Sequence, residues 1–272
     1  MRFNYKNIII AFILYLNAPG YFIAQELPFK ELSLDHITIA VKDLESFQEL
    51  FSNLGFTIKP GTQHDNSIQN SHIKFEDSTS IELLTATKKR DEISAWYVDR
   101  INNYPEGSGV YAALKVDSAK TLDQIKRVFL KESILFREYD LDYSQIISFH
   151  NSLPWHPVFF IHYETDNKEV IKYSNHANGV LGINSVSIYK DSTYKGSNIF
   201  GSTSVTRNCI IDFNESDVSD RITRVELKTK DLKLMKEYFR KVNRKKFIER
   251  IDYEKGKISL LTKFNLLINF VE

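Results

Sequence analysis

The chain has 272 residues, of which 42% are hydrophobic and 26% are charged, and its formal net charge is +1. This composition predicts a globular protein with a sizeable core and excludes a disordered chain. Lys and Arg are spread along the whole sequence, so we expect no nucleic-acid partner. The only cysteine, Cys209, excludes an intrachain disulfide, and we expect a buried structural thiol there.

The first 25 residues have the pattern of a secretory signal peptide. Arg2 and Lys6 precede an apolar run over residues 8–16, and a polar segment with helix breakers follows it. The run is shorter than the roughly 20 residues that a membrane span needs. We therefore expect cleavage after Ala24, export to the periplasm or the extracellular space, and no stable membrane span after processing. An uncleaved anchor helix is the alternative.

A regular pattern begins at residue 34 and predicts one β-α-β-β-β unit over residues 34–86. Residues 34–42 alternate between apolar and polar, as in a half-buried strand. Asp43 is a natural N-cap for the helix that follows, and Gly55 is typical of a helix C-cap. Three short strands then complete the unit, and they are predicted at 56–59, 71–75 and 80–85.

The same order of elements recurs along the chain, which predicts an internally repeated α+β fold. A connecting helix is predicted at 92–104, before the second unit. Further units are predicted over 109–163, 183–213 (degenerate, without a helix) and 222–272. The polar loop over 173–179 separates a two-unit domain, residues 30–172, from a second half, residues 173–272. An α+β protein without internal repeats is the alternative.

Several segments resemble the vicinal-oxygen-chelate superfamily, and more closely its glyoxalase-like domain family. The resemblance covers roughly residues 33–190 and rests on LDHITIAV, NLGF, NSHIKF and SIELLTA in the first unit, then LPWHPVFFIHYE and HANGVLGINSVSI. It implies βαβββ units that form cup-like, open mixed β-sheet barrels with flanking helices. It also implies one divalent metal inside the cup, which a substrate chelates through two vicinal oxygens.

The resemblance assigns the metal to His36, in the first strand of the first unit, and to Glu82, in its last strand. Glu82 interrupts an apolar run, where a carboxylate buried without a partner would be costly. An imidazole nitrogen with a carboxylate oxygen suits Zn, Fe, Mn or Ni, and the sequence does not distinguish them. The structural alternatives are a strand histidine bonded to a backbone carbonyl and a glutamate paired with a Lys or Arg.

The sequence departs from a complete metal site, because a catalytic metal usually has three protein ligands. Where a second-unit histidine would stand, the chain has Val110 or Tyr111. The third unit has Ser185 there, and the last strand of the fourth has Leu267 or Asn269. His176 and His162 are candidates to complete the metal site, with His64 and His72 as further substitutes. Their alternatives are a turn role for His176 and a packing role for His162 and His156.

We also expect His64, Asn70 and Trp155 to line a ligand pocket. No Gly-x-Ser-x-Gly, Gly-x-Gly-x-x-Gly or phosphate-loop motif occurs, so we expect no serine-hydrolase chemistry and no nucleotide cofactor. Two functions remain. The first is a metal-dependent lyase, isomerase or dioxygenase acting on a small molecule with vicinal oxygens. The second is a non-catalytic small-molecule-binding protein with a degenerate metal site. Because four units can supply both cups within one chain, we expect a monomer.

Overall fold

A computed structural model describes residues 27, 29–141, 143–149, 156–165, 171–191, 200, 202–216, 221–242, 247–263 and 265–272. The predicted signal peptide, residues 1–25, and Trp155 lie outside these residues. None of the helices in the described part of the chain is long and apolar enough to cross a membrane.

Four α-helices and fifteen strands occur within the described residues. The helices are α1 (Leu44–Asn53), α2 (Glu92–Asn103), α3 (Ala119–Lys131) and α4 (Leu232–Lys241), with short 3-10 helices at Phe29–Glu31 and Ile171–Tyr173. The strands of the first two units are β1 (Leu32–Ala40), β2 (Lys59–Gln63), β3 (Ile68–Lys74), β4 (Ser80–Ala86), β5 (Ser108–Val116), β6 (Phe136–Leu141), β7 (Ser144–Phe149) and β8 (Val158–Tyr163). The remaining strands are β9 (Val180–Asp191), β10 (Thr203–Val205), β11 (Ile210–Ser216), β12 (Arg221–Thr229), β13 (Ile248–Glu254), β14 (Lys257–Thr262) and β15 (Leu267–Val271).

The strands form one mixed sheet, and the pairing within it repeats. In the first, second and fourth units the first and last strands are parallel neighbours, namely β1 with β4, β5 with β8 and β12 with β15. The two middle strands of each of these units extend the sheet by antiparallel pairing. Units meet through antiparallel pairs of their first strands, β1 with β5 and β9 with β12. The strands predicted at 34–42 and 80–85 therefore lie side by side in the sheet, as β1 and β4.

Helix α1 shows why the sequence folds this way locally. The Asp43 carboxylate accepts a hydrogen bond from the Ser46 backbone N–H at 3.0 Å and so caps the first turn. The helix ends before Gly55, whose φ is +84°, and a Cβ there would lie 2.8 Å from the Tyr238 ring. Glycine is therefore required at this position both by the backbone and by the packing against α4.

The sheet has two faces with different coverings. The outer face packs against α1, α3 and α4 in one large core, which includes Ile37, Ile81 and Cys209. The opposite, inner face carries a smaller cluster, in which Ala40 and Leu84 pack against Tyr97 of α2. Helix α2 therefore covers part of the inner face of the first unit. Cys209 is 4% exposed and burial raises the pKa of its thiol, which confirms the predicted buried cysteine.

Some predicted boundaries were wrong. The strand expected at 56–59 corresponds to β2, which begins only at Lys59. Phe56 instead belongs to the core, and its N–H donates a hydrogen bond to the Phe51 carbonyl of α1 at 3.0 Å. Strands β7 and β10 were not predicted. The expected absence of a helix from the third unit concerns the segment between β9 and β10, most of which lies outside the described residues.

Gly109 lies where the two halves join, opposite Ile222 in the β5–β12 pair. A Cβ at this position would lie 2.8 Å from the Ile222 carbonyl oxygen. We expect Gly109→Ala to lower the free energy of unfolding by about 1–3 kcal/mol, measured by urea denaturation. Gly256→Asn is the control, since its Cβ would meet no atom within 4 Å and asparagine tolerates the φ of +76° at this position. Equal losses in both variants would mean that the close approach of the strands is unimportant.

Candidate functional site

His36 and Glu82 come together on the inner face of the first unit. They project from the parallel neighbours β1 and β4, in which His36 is aligned with Ser80 and Thr38 with Glu82. His36 Nε2 lies 3.7 Å from Glu82 Oε2, and the two side chains are 14% and 13% exposed. The two residues that the sequence singled out are thus a partly buried, charged pair.

Both oxygens of Glu82 accept hydrogen bonds from neighbouring side chains. Thr38 Oγ1 donates to Oε2 at 2.9 Å, and Asn70 Nδ2 donates to Oε1 at 2.7 Å. Asn70 reaches the carboxylate because β3 pairs antiparallel with β4, which puts both residues on the same face. Burial alone would raise the pKa of Glu82, but the electrostatic interactions with the His36 and His72 rings and these two hydrogen bonds lower it. Glu82 is therefore ionised at neutral pH.

Asp35 fixes the orientation of His36. Its Oδ2 lies 2.7 Å from His36 Nδ1 and also accepts a hydrogen bond from the Tyr163 hydroxyl at 3.1 Å. Burial alone would lower the pKa of His36, but the hydrogen bond and charge of Asp35, together with the charge of Glu82, raise it. His36 is thus held with its Nε2 towards Glu82, and its protonated form is stabilised between two carboxylates.

His72 adds a second imidazole beside the pair. It is aligned with Glu82 across the β3–β4 pair, and its buried Nδ1 has no hydrogen-bond partner. Burial lowers its pKa to about 4, with Lys74 acting in the same direction and Glu82 opposing it. His72 is therefore neutral at pH 7 and presents an unpaired ring nitrogen beside Glu82.

An aromatic wall lies next to these polar groups. The Phe159 ring meets His36 edge to face at 5.7 Å between centroids, and Tyr111 meets Phe159 at 5.7 Å. Tyr111 Oη lies 3.0 Å from His156 Nε2, and burial raises the pKa of this tyrosine, so its hydroxyl stays neutral. The Trp96 ring of α2 meets the Tyr111 ring at 4.9 Å between centroids, with the ring planes tilted by 39°. The inner face therefore combines a charged floor with an aromatic side, as small-molecule sites often do.

The structure does not bring the other predicted histidines to this pair. His176 packs on the core rings Phe56 and Phe75 at 5.3 Å each, and its Nδ1 accepts a hydrogen bond from the Thr57 N–H at 3.0 Å. His162 Nδ1 lies 2.8 Å from the Val116 carbonyl oxygen. His64 lies in the turn between β2 and β3, where its carbonyl accepts a hydrogen bond from the Ser67 N–H.

These donors do not complete a metal site. Among the described residues, no three His, Cys, Asp or Glu side chains are grouped so that they could hold a metal ion. Tyr111 is aligned with Thr38 and Ala113 with His36, so β5 adds no ligand opposite the pair. Two protein ligands are fewer than the three that catalytic metal sites usually have.

Comparison with known proteins places these residues in a family. The family model of the glyoxalase-like domain matches residues 34–196. The chain belongs to this family. The predicted resemblance is confirmed, and the matched region of the glyoxalase-like domain contains His36, Glu82 and the aromatic wall. No curated protein matches the sequence.

Solved structures similar to this glyoxalase-like protein include two variants of homoprotocatechuate 2,3-dioxygenase from B. fuscum. The first has 9% sequence identity and a TM-score of 0.58, over 92% of this chain and 74% of that chain. The second, in complex with HPCA, has 10% identity and a TM-score of 0.57, over 91% and 74% of the two chains. At such identities the likeness is one of fold. It confirms the predicted α+β class with an open mixed sheet.

The sequence did not assign Asp35, Thr38 or Tyr163 to the site, nor Phe159 and Trp96 of the aromatic wall. Thr38 shares the strand parity of His36, which was a usable signal. Asp35 lies at a shift in the register of β1 against β5, between Leu34 and His36. At such an irregularity the alternation of side chains along the strand does not predict which way a residue points. Tyr163 meets Asp35 only through the pairing of distant units, which the local sequence does not show.

Proposed function

We propose that this protein is an exported small-molecule-binding protein of the glyoxalase-like fold, with its binding site on the inner face of the first unit. The observation that carries the proposal is the His36–Glu82 pair, with the unpaired Nδ1 of His72 beside it. A small molecule with hydroxyl or carbonyl oxygens offers hydrogen bonds to these groups, and the aromatic wall offers apolar contact. The complex of one structural neighbour with a small molecule supports a ligand for this fold.

A divalent-metal-dependent enzyme of the lyase, isomerase or dioxygenase type is the second candidate. It is favoured by the Asp35–His36 hydrogen bond, because histidines that bind metals usually donate their other ring N–H to a carboxylate or carbonyl. If Zn, Fe, Mn or Ni is bound, His36 and Glu82 would hold it, and it would supply Lewis acidity to a substrate oxygen. The chain's own residues would then bind and orient that substrate.

Metal content separates the two candidates. The purified protein is incubated with each of the four metals, desalted and analysed by mass spectrometry, beside His36→Ala and Glu82→Ala. The binding proposal expects well below one equivalent of metal in all three proteins. Near one equivalent, lost in both variants, would establish the metal-dependent alternative instead.

Ligand binding is tested with the tryptophan fluorescence of the unaltered chain, which contains Trp96 and Trp155. Small oxygen-bearing aromatic and aliphatic compounds are screened for a change in this emission. We expect compounds that bind this protein to bind Glu82→Ala at least about tenfold more weakly, the loss of one hydrogen bond to a charged group. Lys236→Ala is the control, because Lys236 is an exposed residue of α4, and this variant should bind the compounds normally. The proposal would be contradicted if no compound binds, or if compounds bind Glu82→Ala as tightly as the unaltered protein.

We propose export because the first 25 residues have the pattern of a signal peptide. We propose a monomer because one chain contains four units. Cell fractionation with N-terminal sequencing should find the protein outside the cytoplasm, beginning at Gln25. An intact N-terminus in the membrane fraction would instead show the anchor helix. Light scattering should give a mass close to that of one chain.

A further inference from the structure

Charge is distributed unevenly along this chain. Residues 221–272, which contain the fourth unit, include 15 Lys and Arg but only 7 Asp and Glu, a formal charge of +8. Residues 1–220 include 21 Lys and Arg and 28 Asp and Glu, a formal charge of −7. The net charge of +1 is therefore the sum of two large opposite charges. This asymmetry predicts that the fourth unit meets an anionic partner.

Helix α4 exposes much of this positive charge. Its buried residues Met235 and Phe239 pack on the core, so the opposite side of the helix faces solvent. Four cationic side chains of the helix are exposed, namely Lys233, Lys236, Arg240 and Lys241. The helix contains one exposed acid, Glu237. We call the four cations the α4 basic face.

The cations of the α4 basic face form a row and keep their charge. Lys233, Lys236 and Arg240 are separated by three and four residues, so they are neighbours along one side of the helix. At a rise of 1.5 Å per residue this row is about 10 Å long. Within the described part of the chain none of the four cations forms an ion pair. Neighbouring cations outside the row do, since Lys230 pairs with Glu76 at 3.1 Å.

Two tyrosines flank the α4 basic face. Lys236 Nζ lies 4.9 Å from the centroid of the Tyr253 ring, and Lys241 Nζ lies 5.8 Å from that of Tyr238. Tyr253, in β13, is 42% exposed and is one of the few large hydrophobic side chains at the surface of the described residues. Tyrosine rings combine an apolar body with a polar tip, and they favour the headgroup region of a membrane. A row of cations beside such rings suits an anionic lipid surface.

A flat anionic surface suits this face better than a long polymer does. The row of about 10 Å spans the phosphates of about three steps of a nucleic-acid strand, at 3.4 Å each. A longer nucleic acid would extend past α4 towards the acidic remainder of the chain. A bilayer instead meets the molecule from one side, and the charge asymmetry of the chain turns the fourth unit towards it.

We propose that the α4 basic face binds the surface of a membrane that contains anionic lipids and holds this protein there reversibly. The cations attract the lipid headgroups, and Tyr253 lies among them. The interaction is weak, because each cation near an anionic membrane raises the affinity only about fivefold. The proposal uses none of the residues around His36 and Glu82, and it stands whether or not that site binds a ligand.

Co-sedimentation with vesicles tests the proposal on the protein as the cell processes it. One set of vesicles is phosphatidylcholine alone, and the other contains about one third phosphatidylglycerol, an anionic lipid. We expect binding to the anionic vesicles only, and its loss at about 0.5 M salt, because salt screens exposed charges. The triple variant Lys233→Gln/Lys236→Gln/Arg240→Gln should bind about 100-fold more weakly.

A matched control removes the same charges from α3. The control also replaces two lysines and one arginine at exposed helical positions, as Lys120→Gln/Arg127→Gln/Lys131→Gln, and it should bind as the unaltered protein does. Because all six positions are exposed, both triple variants should keep the urea midpoint of the unaltered protein. Equal losses of binding in the two variants, or binding to phosphatidylcholine that survives in the α4 variant, would overturn the proposal. So would duplex DNA that binds more tightly than the anionic vesicles at the same salt concentration.

A fluorescent label shows which face meets the vesicle. Cys209 is buried, so a cysteine introduced at an exposed position is the one that reacts with the label. Glu237→Cys places an environment-sensitive dye within the α4 basic face without removing a cation, and Gln124→Cys places it on the exposed side of α3. On anionic vesicles we expect the emission to shift to shorter wavelength for Glu237→Cys and to stay unchanged for Gln124→Cys. A shift at both positions, or at neither, would show that α4 is not the side that binds.

Discussion

We expect Glu82→Leu to lower the free energy of unfolding by about 3–5 kcal/mol, the usual cost of removing one partner of a buried ion pair. The carboxylate accepts hydrogen bonds from Thr38 and Asn70 and compensates the charge of His36. Leucine leaves these donors unpaired beside an imidazole whose protonated form loses one of its two stabilising carboxylates. Urea denaturation at pH 7 measures the change.

Glu226→Leu is the matched control for this prediction. Glu226 also lies on a strand interior and accepts one side-chain hydrogen bond, from Asn184, but that contact is exposed. We expect its loss to cost at most about 1 kcal/mol. A double variant that combines Glu82→Leu with His36→Leu should lose less stability than the two single changes together, since it removes both charges. Additive losses, or equal losses at Glu82 and Glu226, would show that the pair does not act as a unit.

Much of the fold followed from local sequence patterns. The strand predicted at 80–85 corresponds to β4, because a short apolar run fixes its position. Helix α1 was found from its Asp43 cap and Gly55 stop, each of which has a local chemical cause. Strand β7 was missed, since its six residues, SQIISF, show no regular alternation of apolar and polar side chains and its pairing partners lie in β6 and β8.

The site was predicted less completely, and for a physical reason. The parity of β1 and β4 placed His36 and Glu82 on one face, and Asn70, predicted for the pocket, donates a hydrogen bond to Glu82. His176 and His162 were considered because of their residue type, but strand parity and the turn geometry put them elsewhere. Residue type alone does not report which face a side chain takes, whereas register does.

The last prediction concerns His72 and acid. Its pKa in the folded protein is about 4, against an ordinary value of 6.5. Between these two pH values the unfolded chain binds the proton more readily than the folded one, so the free energy of unfolding falls as the pH falls. The shift corresponds to a loss of up to about 3 kcal/mol. The lowered pKa of His176 adds a loss of the same sign.

His72→Phe should remove the larger part of this loss, because a phenyl ring takes up no proton. The carboxylates of Asp35 and Glu82 do not affect this measurement above pH 4.5. Because their pKa values are lowered, their contributions to the free energy of unfolding are lost only at lower pH. The raised pKa of His36 has the opposite effect. The contribution of His36 to the free energy of unfolding is fully present below pH 6.5 and is lost as the pH rises above that value. Urea denaturation from pH 6.5 to 4.5, with NMR titration of the His72 ring, measures both quantities. If the free energy of unfolding of His72→Phe falls equally steeply with falling pH, the His72 imidazole is not what makes the folded protein sensitive to acid.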